Sequence, residues 1–367
     1  MSEWKKVKLG EVCEISAGGD RPQIFSNHRT DKCRIPIYSN GIDNEGLYGF
    51  TDTPKNNGNA ITITGRGANA GTVFYRKDPF LSIIRLLTLT PNSEIINAKY
   101  LFYLLKNKTF LSTGSAQPQI TVPNISQFEI EFNPDIETQH RVATILSRYD
   151  SLTENYQKQI KLLEEAAQRL YKEWFIDLRF PGHENTKIVD GLPEGWTPSQ
   201  LGQLVEFKRG KTITKKDVID GDIPVVAGGL EPAYYCNKSN TAERVITVSG
   251  SGANAGFTRM YFEKVWASDC SFVDVSVTPF LHFVYCYLKD NKTTIDNMQK
   301  GAAQPHVYAK DINSLGLCIP IESILKSFEG KISKYFDSIS SLQSQLRLLT
   351  EARNRLLPKL MSGEIEI

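Results

Sequence analysis

Ile63-Thr64-Gly65-Arg66-Gly67-Ala68-Asn69-Ala70-Gly71 returns later in the chain as Val248-Ser249-Gly250-Ser251-Gly252-Ala253-Asn254-Ala255-Gly256. The echo extends outward in the same order on both sides. Each half opens on Trp and then Leu-Gly, at Trp4 and Leu9-Gly10 and again at Trp196 and Leu201-Gly202. Ser16-Ala17-Gly18-Gly19 answers to Lys208-Arg209-Gly210-Lys211, and Ile35-Pro36-Ile37-Tyr38 to Ile223-Pro224-Val225-Val226. Further on, Gly114-Ser115-Ala116-Gln117-Pro118-Gln119-Ile120 answers to Gly301-Ala302-Ala303-Gln304-Pro305-His306-Val307. Collinear self-similarity of this kind marks a duplicated structural unit. Within each copy, short apolar runs separated by Gly, Asn and Pro predict strands at residues 60–64, 72–75 and 85–90, and at 245–249, 257–261 and 271–277. A helical run follows in each, at 98–105 and 280–288.

Between and after the copies lie two long helical patterns. The first places Val142, Ile145, Tyr149, Leu152, Tyr156, Ile160, Leu163, Ala167, Leu170 and Trp174 on one seam, a heptad with one extra residue inserted between Leu152 and Ile160. The second places Phe328, Ile332, Tyr335, Ile339, Leu342, Leu346, Leu349, Arg353, Leu356 and Leu360 in strict 4-3 alternation, broken in polarity only by Arg353. One polar seam residue can fix register at some cost in stability. The helices resemble each other too, Lys161-Leu162-Leu163-Glu164-Glu165-Ala166 lining up with Arg347-Leu348-Leu349-Thr350-Glu351-Ala352. Each would be about 50 Å long, more than one small domain covers. The competing reading, two unrelated amphipathic helices each packed on its own domain, sits badly with the repeat. The first helix leaves one module for the other, so a partner helix starting at the second must run back.

The expected fold is therefore α+β: two similar globular modules separated by two long helices in an antiparallel coiled coil, with approximate two-fold symmetry and the C-terminus returning near the N-terminus. The expected boundaries are 1–135 for the first module, 136–180 for the central helix, 181–320 for the second module and 321–367 for the last helix.

Bulk properties narrow the function. At 367 residues with a formal charge of +2, the chain has room for two cores but no global basic field. Nucleic acid, if bound, must be held by local patches. The six cysteines Cys13, Cys33, Cys236, Cys270, Cys286 and Cys318 include no Cys-x-x-Cys pair, which indicates reduced thiols and no zinc site. Met1-Ser2-Glu3-Trp4-Lys5-Lys6 lacks the apolar core of a signal peptide, and no run approaches about 20 apolar residues. A cytoplasmic protein without membrane contact is expected.

Catalytic patterns are absent from the sequence. The glycine stretch lacks the Lys of a phosphate-binding loop, and Thr72-Val73-Phe74-Tyr75 after it reads as a strand where a dinucleotide site needs a helix. No metalloprotease or nucleophile-elbow motif occurs, and the five histidines His28, His140, His183, His282 and His306 are dispersed. Asn133-Pro134-Asp135 and Asp78-Pro79-Phe80 do not supply an adenine methyltransferase loop, and Asp217 and Asp222 beside Lys215-Lys216 are too irregular for a nuclease core. A duplicated unit without a duplicated acid, base or metal set binds rather than reacts.

The candidate DNA-binding residues are local. Lys208, Arg209, Lys211 and Lys215 form the densest basic cluster, suited to phosphate contact or simply a solvated surface run. Arg66 and Asn69, with Ser251 and Asn254, sit on glycine turns that either just close hairpins or also let a nucleic-acid strand approach. Gln117, Gln119, Gln304 and His306 can read base edges or cap the turns around Pro118 and Pro305. Tyr38, Tyr48, Tyr234 and Tyr235 read as core or rim residues.

Two such modules alternating with two long helices resemble the specificity subunit of type I restriction–modification systems. Glu137-Thr138-Gln139-His140-Arg141-Val142-Ala143-Thr144-Ile145-Leu146 is similar to that family's entry into its first spacer helix, and Arg355-Leu356-Leu357-Pro358-Lys359-Leu360-Met361-Ser362-Gly363-Glu364-Ile365 to its C-terminus. The resemblance implies two target-recognition domains, each reading one half of a split site in double-stranded DNA. The helices would be the ruler, setting half-site centres on the order of 14 base pairs apart. It implies docking of two methyltransferase subunits and, through them, nuclease/translocase subunits. S-adenosylmethionine, ATP and Mg²⁺ would belong to those partners, with no cofactor on this chain. Base extrusion would likewise be theirs. Two rival readings are a self-contained modification enzyme, which lacks its motifs, and a coiled-coil scaffold whose ends bind protein, which has no use for a basic cluster.

Overall fold

The structure, a computed structural model, describes residues 4–106, 108–110, 119–214, 216, 218–301 and 304–367. The chain divides into two compact units, Met1–Glu154 with Arg347–Ile367, and Asn155–Leu346. Each unit thus holds one module and a part of each long helix.

In the first unit, a four-stranded antiparallel sheet has the order Cys13–Ala17, Leu87–Pro91, Ala60–Ile63, Val73–Arg76. The inner strand Ala60–Ile63 is buried at all four positions, which explains why it carries no charged residue and only one polar one, Thr62. A second sheet runs Leu47–Thr51, Ile35–Tyr38, Leu81–Ser82. The module is closed by pairing Lys5–Lys8 with Glu129–Phe132, so its first and last strands lie side by side. Helix Ala98–Leu105 buries every residue from Tyr100 to Leu105, and the Asn97 side chain accepts the Tyr100 N–H at 2.9 Å to start it.

The second unit repeats this topology strand for strand. Its four-stranded sheet runs Lys208–Arg209, Cys270–Asp274, Val245–Ser249, Thr258–Tyr261, and its three-stranded sheet Tyr234–Cys236, Ile223–Val226, Trp266–Ala267. Thr197–Gln200 pairs with Gly316–Ile319 to close it. Helix Leu281–Asp290 occupies the place of Ala98–Leu105. Two modules of one α+β fold are present, as the duplication requires.

The long helices span Ile136–Tyr171, continuing through a wider π turn at Lys172–Ile176, and Glu322–Ser362. In the second unit Trp174 packs on Phe328 with ring centroids 5.6 Å apart, while Leu163 lines one hollow with Leu342. Rising numbers on one helix meet falling numbers on the other, so the two run antiparallel there. In the first unit Asp150 meets Arg353, and Val142, Ala143 and Leu146 share a core with Leu357 and Leu360.

The seam of the first helix needs one correction. Leu152 is 44 % exposed, whereas Leu146 is fully buried and Thr153 is half-buried. Threading the stripe through Val142, Leu146, Tyr149, Thr153, Tyr156 and Ile160 restores 4-3 alternation with no inserted residue. Apolarity favours Leu152 over Thr153, but helical geometry turns the threonine inward. Ile145 flanks the seam. Tyr149, Tyr156, Ile160, Leu163, Leu170, Tyr335, Leu342, Leu346, Leu349 and Leu356 are half-buried, and Ile332 and Ile339 are buried. Two helices alone cannot enclose their contact line; full burial comes where a module core also covers it. Among the described residues no helix is long and apolar enough to cross a membrane.

Candidate nucleic-acid interface

Both glycine stretches form the tip of the hairpin that joins an inner strand of the four-stranded sheet to its edge strand, and their backbones are tied alike. Gly71 donates to the Thr64 carbonyl at 2.8 Å, Ala70 to Gly67 at 3.0 Å and Thr72 to Asn69 at 3.2 Å. In the second unit Gly256 donates to Ser249 at 2.9 Å, Ala255 to Gly252 at 3.0 Å and Phe257 to Asn254 at 2.9 Å. Gly67 and Gly252 sit at φ +81° and +80°, in the left-handed region. A Cβ at either would meet nothing within 4 Å, so glycine is required there by conformation, and the tip stands open.

Gln119-Ile120 in the first unit and Pro305-His306-Val307 in the second dock onto the hairpins. Ile120 donates to the Gly65 carbonyl at 2.9 Å and Gln119 forms a β-bridge with Arg66. In the second unit Val307 donates to Gly250 at 3.1 Å, Gly252 to Pro305 at 3.0 Å, and His306 bridges Ser251. Two motifs distant in sequence thereby share one edge of each module. Gln117 lies outside the described residues; Gln304 is exposed.

The basic cluster joins that edge in the second unit. Lys208–Arg209 pairs with Phe272 and Ser271, and the Trp266 indole donates to the Lys211 carbonyl at 2.7 Å. Lys208, Arg209 and Lys211 are all exposed, and Lys215 lies outside the described residues. Asp269 connects cluster and hairpin: its carboxylate accepts the Ser251 hydroxyl and lies 3.9 Å from the Arg209 guanidinium. The His306 ring stacks on Tyr308 at 5.9 Å, with the Lys310 ammonium 5.8 Å from the Tyr308 centroid. Such a mixture of cations and an exposed aromatic face suits nucleic acid.

In the first unit Arg66 and Asn69 are exposed on the hairpin and Arg85 is exposed beside it. Asn40 braces this region, accepting the Gly65 N–H at 2.7 Å while its amide donates to the Ile84 carbonyl. Arg85, Asp269 and Tyr308 were not legible as site residues. Arg85 falls within a stretch that reads as strand, and Asp269 and Tyr308 join the site only through tertiary pairing.

Among the described residues no cluster of three or more metal-capable side chains occurs. Burial pushes the Cys13 and Cys270 thiols up to about 12, which keeps both protonated as packing residues.

Comparison with known proteins gives a consistent result. The type I restriction modification DNA specificity domain matches residues 1–165 and again 193–351. The chain is 28 % identical over 338 residues to the MjaIX type I restriction enzyme specificity subunit of Methanocaldococcus jannaschii, covering 84 % of this chain and 78 % of that one. It is 22 % identical to the HindI specificity subunit of Haemophilus influenzae across 100 % of both chains. In fold it is similar to the crystal structure of a type I restriction-modification S subunit from M. genitalium, with a TM-score of 0.69 at 18 % identity over 98 % of this chain and 96 % of that one.

Proposed function

This chain belongs to the type I restriction–modification DNA specificity family, and we propose that it reads a split DNA site with one half-site per module. The observation that carries this is the duplicated edge: one backbone frame, built twice, displays different side chains in each copy. A frame of that kind fits two related docking geometries on DNA with unlike base preferences. Lys208, Arg209, Lys211, Arg66 and Lys215 would contact phosphates, fixing register without reading sequence. Gln117, Gln119, Gln304, His306, Ser251, Asn69 and Asn254 would face base edges.

The long helices would set the gap between half-sites and offer their exposed faces to two methyltransferase subunits, through which nuclease/translocase subunits join. The chain itself would catalyse nothing: S-adenosylmethionine, ATP and Mg²⁺ would sit on those partners. Its working place would be the cytoplasm, beside DNA.

Mapping methylated bases genome-wide, with the chain expressed beside its methyltransferase subunit, tests this. Two short unlike half-sites around a fixed gap are expected. Inserting seven residues into each long helix should widen that gap by about 3 base pairs, from ~1.5 Å rise per residue, and leave both half-sites unchanged. A continuous motif, or no methylation at all, would overturn the proposal.

A further inference from the structure

We propose that Arg85 in the first module and Asp269 in the second occupy one equivalent base-reading position, whose opposite charge distinguishes the half-sites. The inference rests on the reading of each module as a half-site reader. Equivalence follows from the frame. A Cβ on Gly65 would meet the Arg85 carbonyl at 3.2 Å, and a Cβ on Gly250 would meet the Asp269 carbonyl at the same 3.2 Å. Both residues therefore lie directly beside the first glycine of their hairpin.

Arg85 is presented at some conformational cost. Ile84 and Arg85 are consecutive non-glycine residues in the left-handed region, at φ +53° and +57°, and Ile84 is β-branched. Ile84 donates to Gly19 and Arg85 to Gly18, each at 2.8 Å, while the Asn40 amide holds the Ile84 carbonyl. Strained backbone over-determined by its surroundings is characteristic of functional sites. The result is an exposed guanidinium beside an open hairpin tip.

Asp269 is fixed differently, through its side chain, by the Ser251 hydroxyl and the nearby Arg209. A carboxylate is repelled by phosphate, so of the groups that DNA presents it suits base donors, to which its oxygens can add a bond beside Ser251 and Arg209. The geometry thus assigns Arg85 to the O6 and N7 acceptors of guanine and Asp269 to the N4 amino group of cytosine.

The test is the methylated motif produced by the full chain with its methyltransferase subunit, for the parent and for Arg85→Gln, Arg85→Lys and Asp269→Asn. Arg85 is exposed and Asp269→Asn is isosteric, so folding is not at stake. Both Arg85 variants should relax one guanine position of one half-site by on the order of tenfold, with the other half-site and the gap intact. Lysine fails there because it lacks the two-pronged fork. Asp269→Asn should alter one position of the opposite half-site only. If Arg85→Lys keeps the parental motif while Arg85→Gln weakens methylation evenly at all sites, Arg85 is a phosphate contact and the inference falls. Unchanged motifs in all three variants overturn it too, while leaving a split parental motif and the proposed function standing. A parent with no split motif overturns both.

Discussion

The two modules agree in their hydrogen bonds and disagree in their charges. The hairpin closures at Gly71 and Gly256 differ by 0.1 Å, at 2.8 and 2.9 Å, and Ile120 donates to Gly65 as Val307 donates to Gly250. Around that shared frame, Arg66 stands where Ser251 stands, Gln119 where His306 stands, and Arg85 where Asp269 stands. Ser16-Ala17 in one edge strand is replaced by Lys208-Arg209 in the other. Backbone pairing fixes geometry, and exposed side chains are free to diverge because they bear no part of it.

The long helices show the same division. The internal repeat relates Asp150 to Phe336 and Arg353 to Ala167. In the first unit the seam position holds a polar set: Tyr103 donates to Asp150 at 2.7 Å and the Arg353 Nε lies 2.9 Å from the same carboxylate. That approach is an ion pair off the N–H direction, and Arg353 Nη2 is buried without an acceptor among the described residues. In the second unit Phe336 and Ala167 are simply core.

The largest expected effect separates the hairpins by their packing. A Cβ on Gly256 would meet Ile295 Cγ2 at 2.9 Å, whereas one on Gly71 would meet Phe110 at an ordinary 3.5 Å, both at positive φ. Gly256→Ala should cost about 3–4 kcal/mol and Gly71→Ala about 1–2 kcal/mol, the difference being overpacking. Denaturant unfolding of the full chain measures both, and equal costs would break the comparison.

Next comes the polar seam. Arg353→Ala should destabilise by about 2–3 kcal/mol, because it takes from Asp150 its ion-pair partner in a largely buried site. Transplanting the second unit's solution, Asp150→Phe with Arg353→Ala, should bring stability back to within about 1 kcal/mol of the parent or above it. Thermal unfolding of the three chains decides, and a double variant as weak as the single one would show that the polar set is indispensable.

The smallest effect concerns phosphate contact. Lys208→Ala should reduce the slope of log affinity against log salt by about 1 and leave the methylated motif as it is. Ser16→Lys in the first module should raise the slope by a similar amount. DNA titrations over a salt series read both. A motif change in either would move these positions from anchoring to base reading.

Much of this architecture was legible because duplication makes a sequence its own control. The inner strands 60–63 and 245–249, the glycine hairpins and the helix 98–105 stand out by pattern alone. Other parts depend on partners far away in the chain. The ladder of Lys5–Lys8 with Glu129–Phe132 carries three lysines and looks like surface until its partner is known. Leu81–Ser82 and Trp266–Ala267 are two-residue strands, too short for any periodicity to register. Leu152 is the more apolar of two neighbours, and only helical phase, which Tyr149 and Tyr156 share with Thr153, turns the threonine inward. At the site, Arg66 and Gln119 were each visible, but their pairing was not, and Arg85 and Asp269 carry no local signature at all.

Each module begins and ends on one two-stranded ladder, which makes it a unit that can be exchanged. The decisive measurement is the methylated motif produced when residues 197–319 are replaced by a second copy of residues 5–132, again with the methyltransferase subunit present. If each module reads its own half-site, the first module's half-site must appear at both ends of the motif. Persistence of the parental second half-site would place its recognition outside the second module and contradict the account.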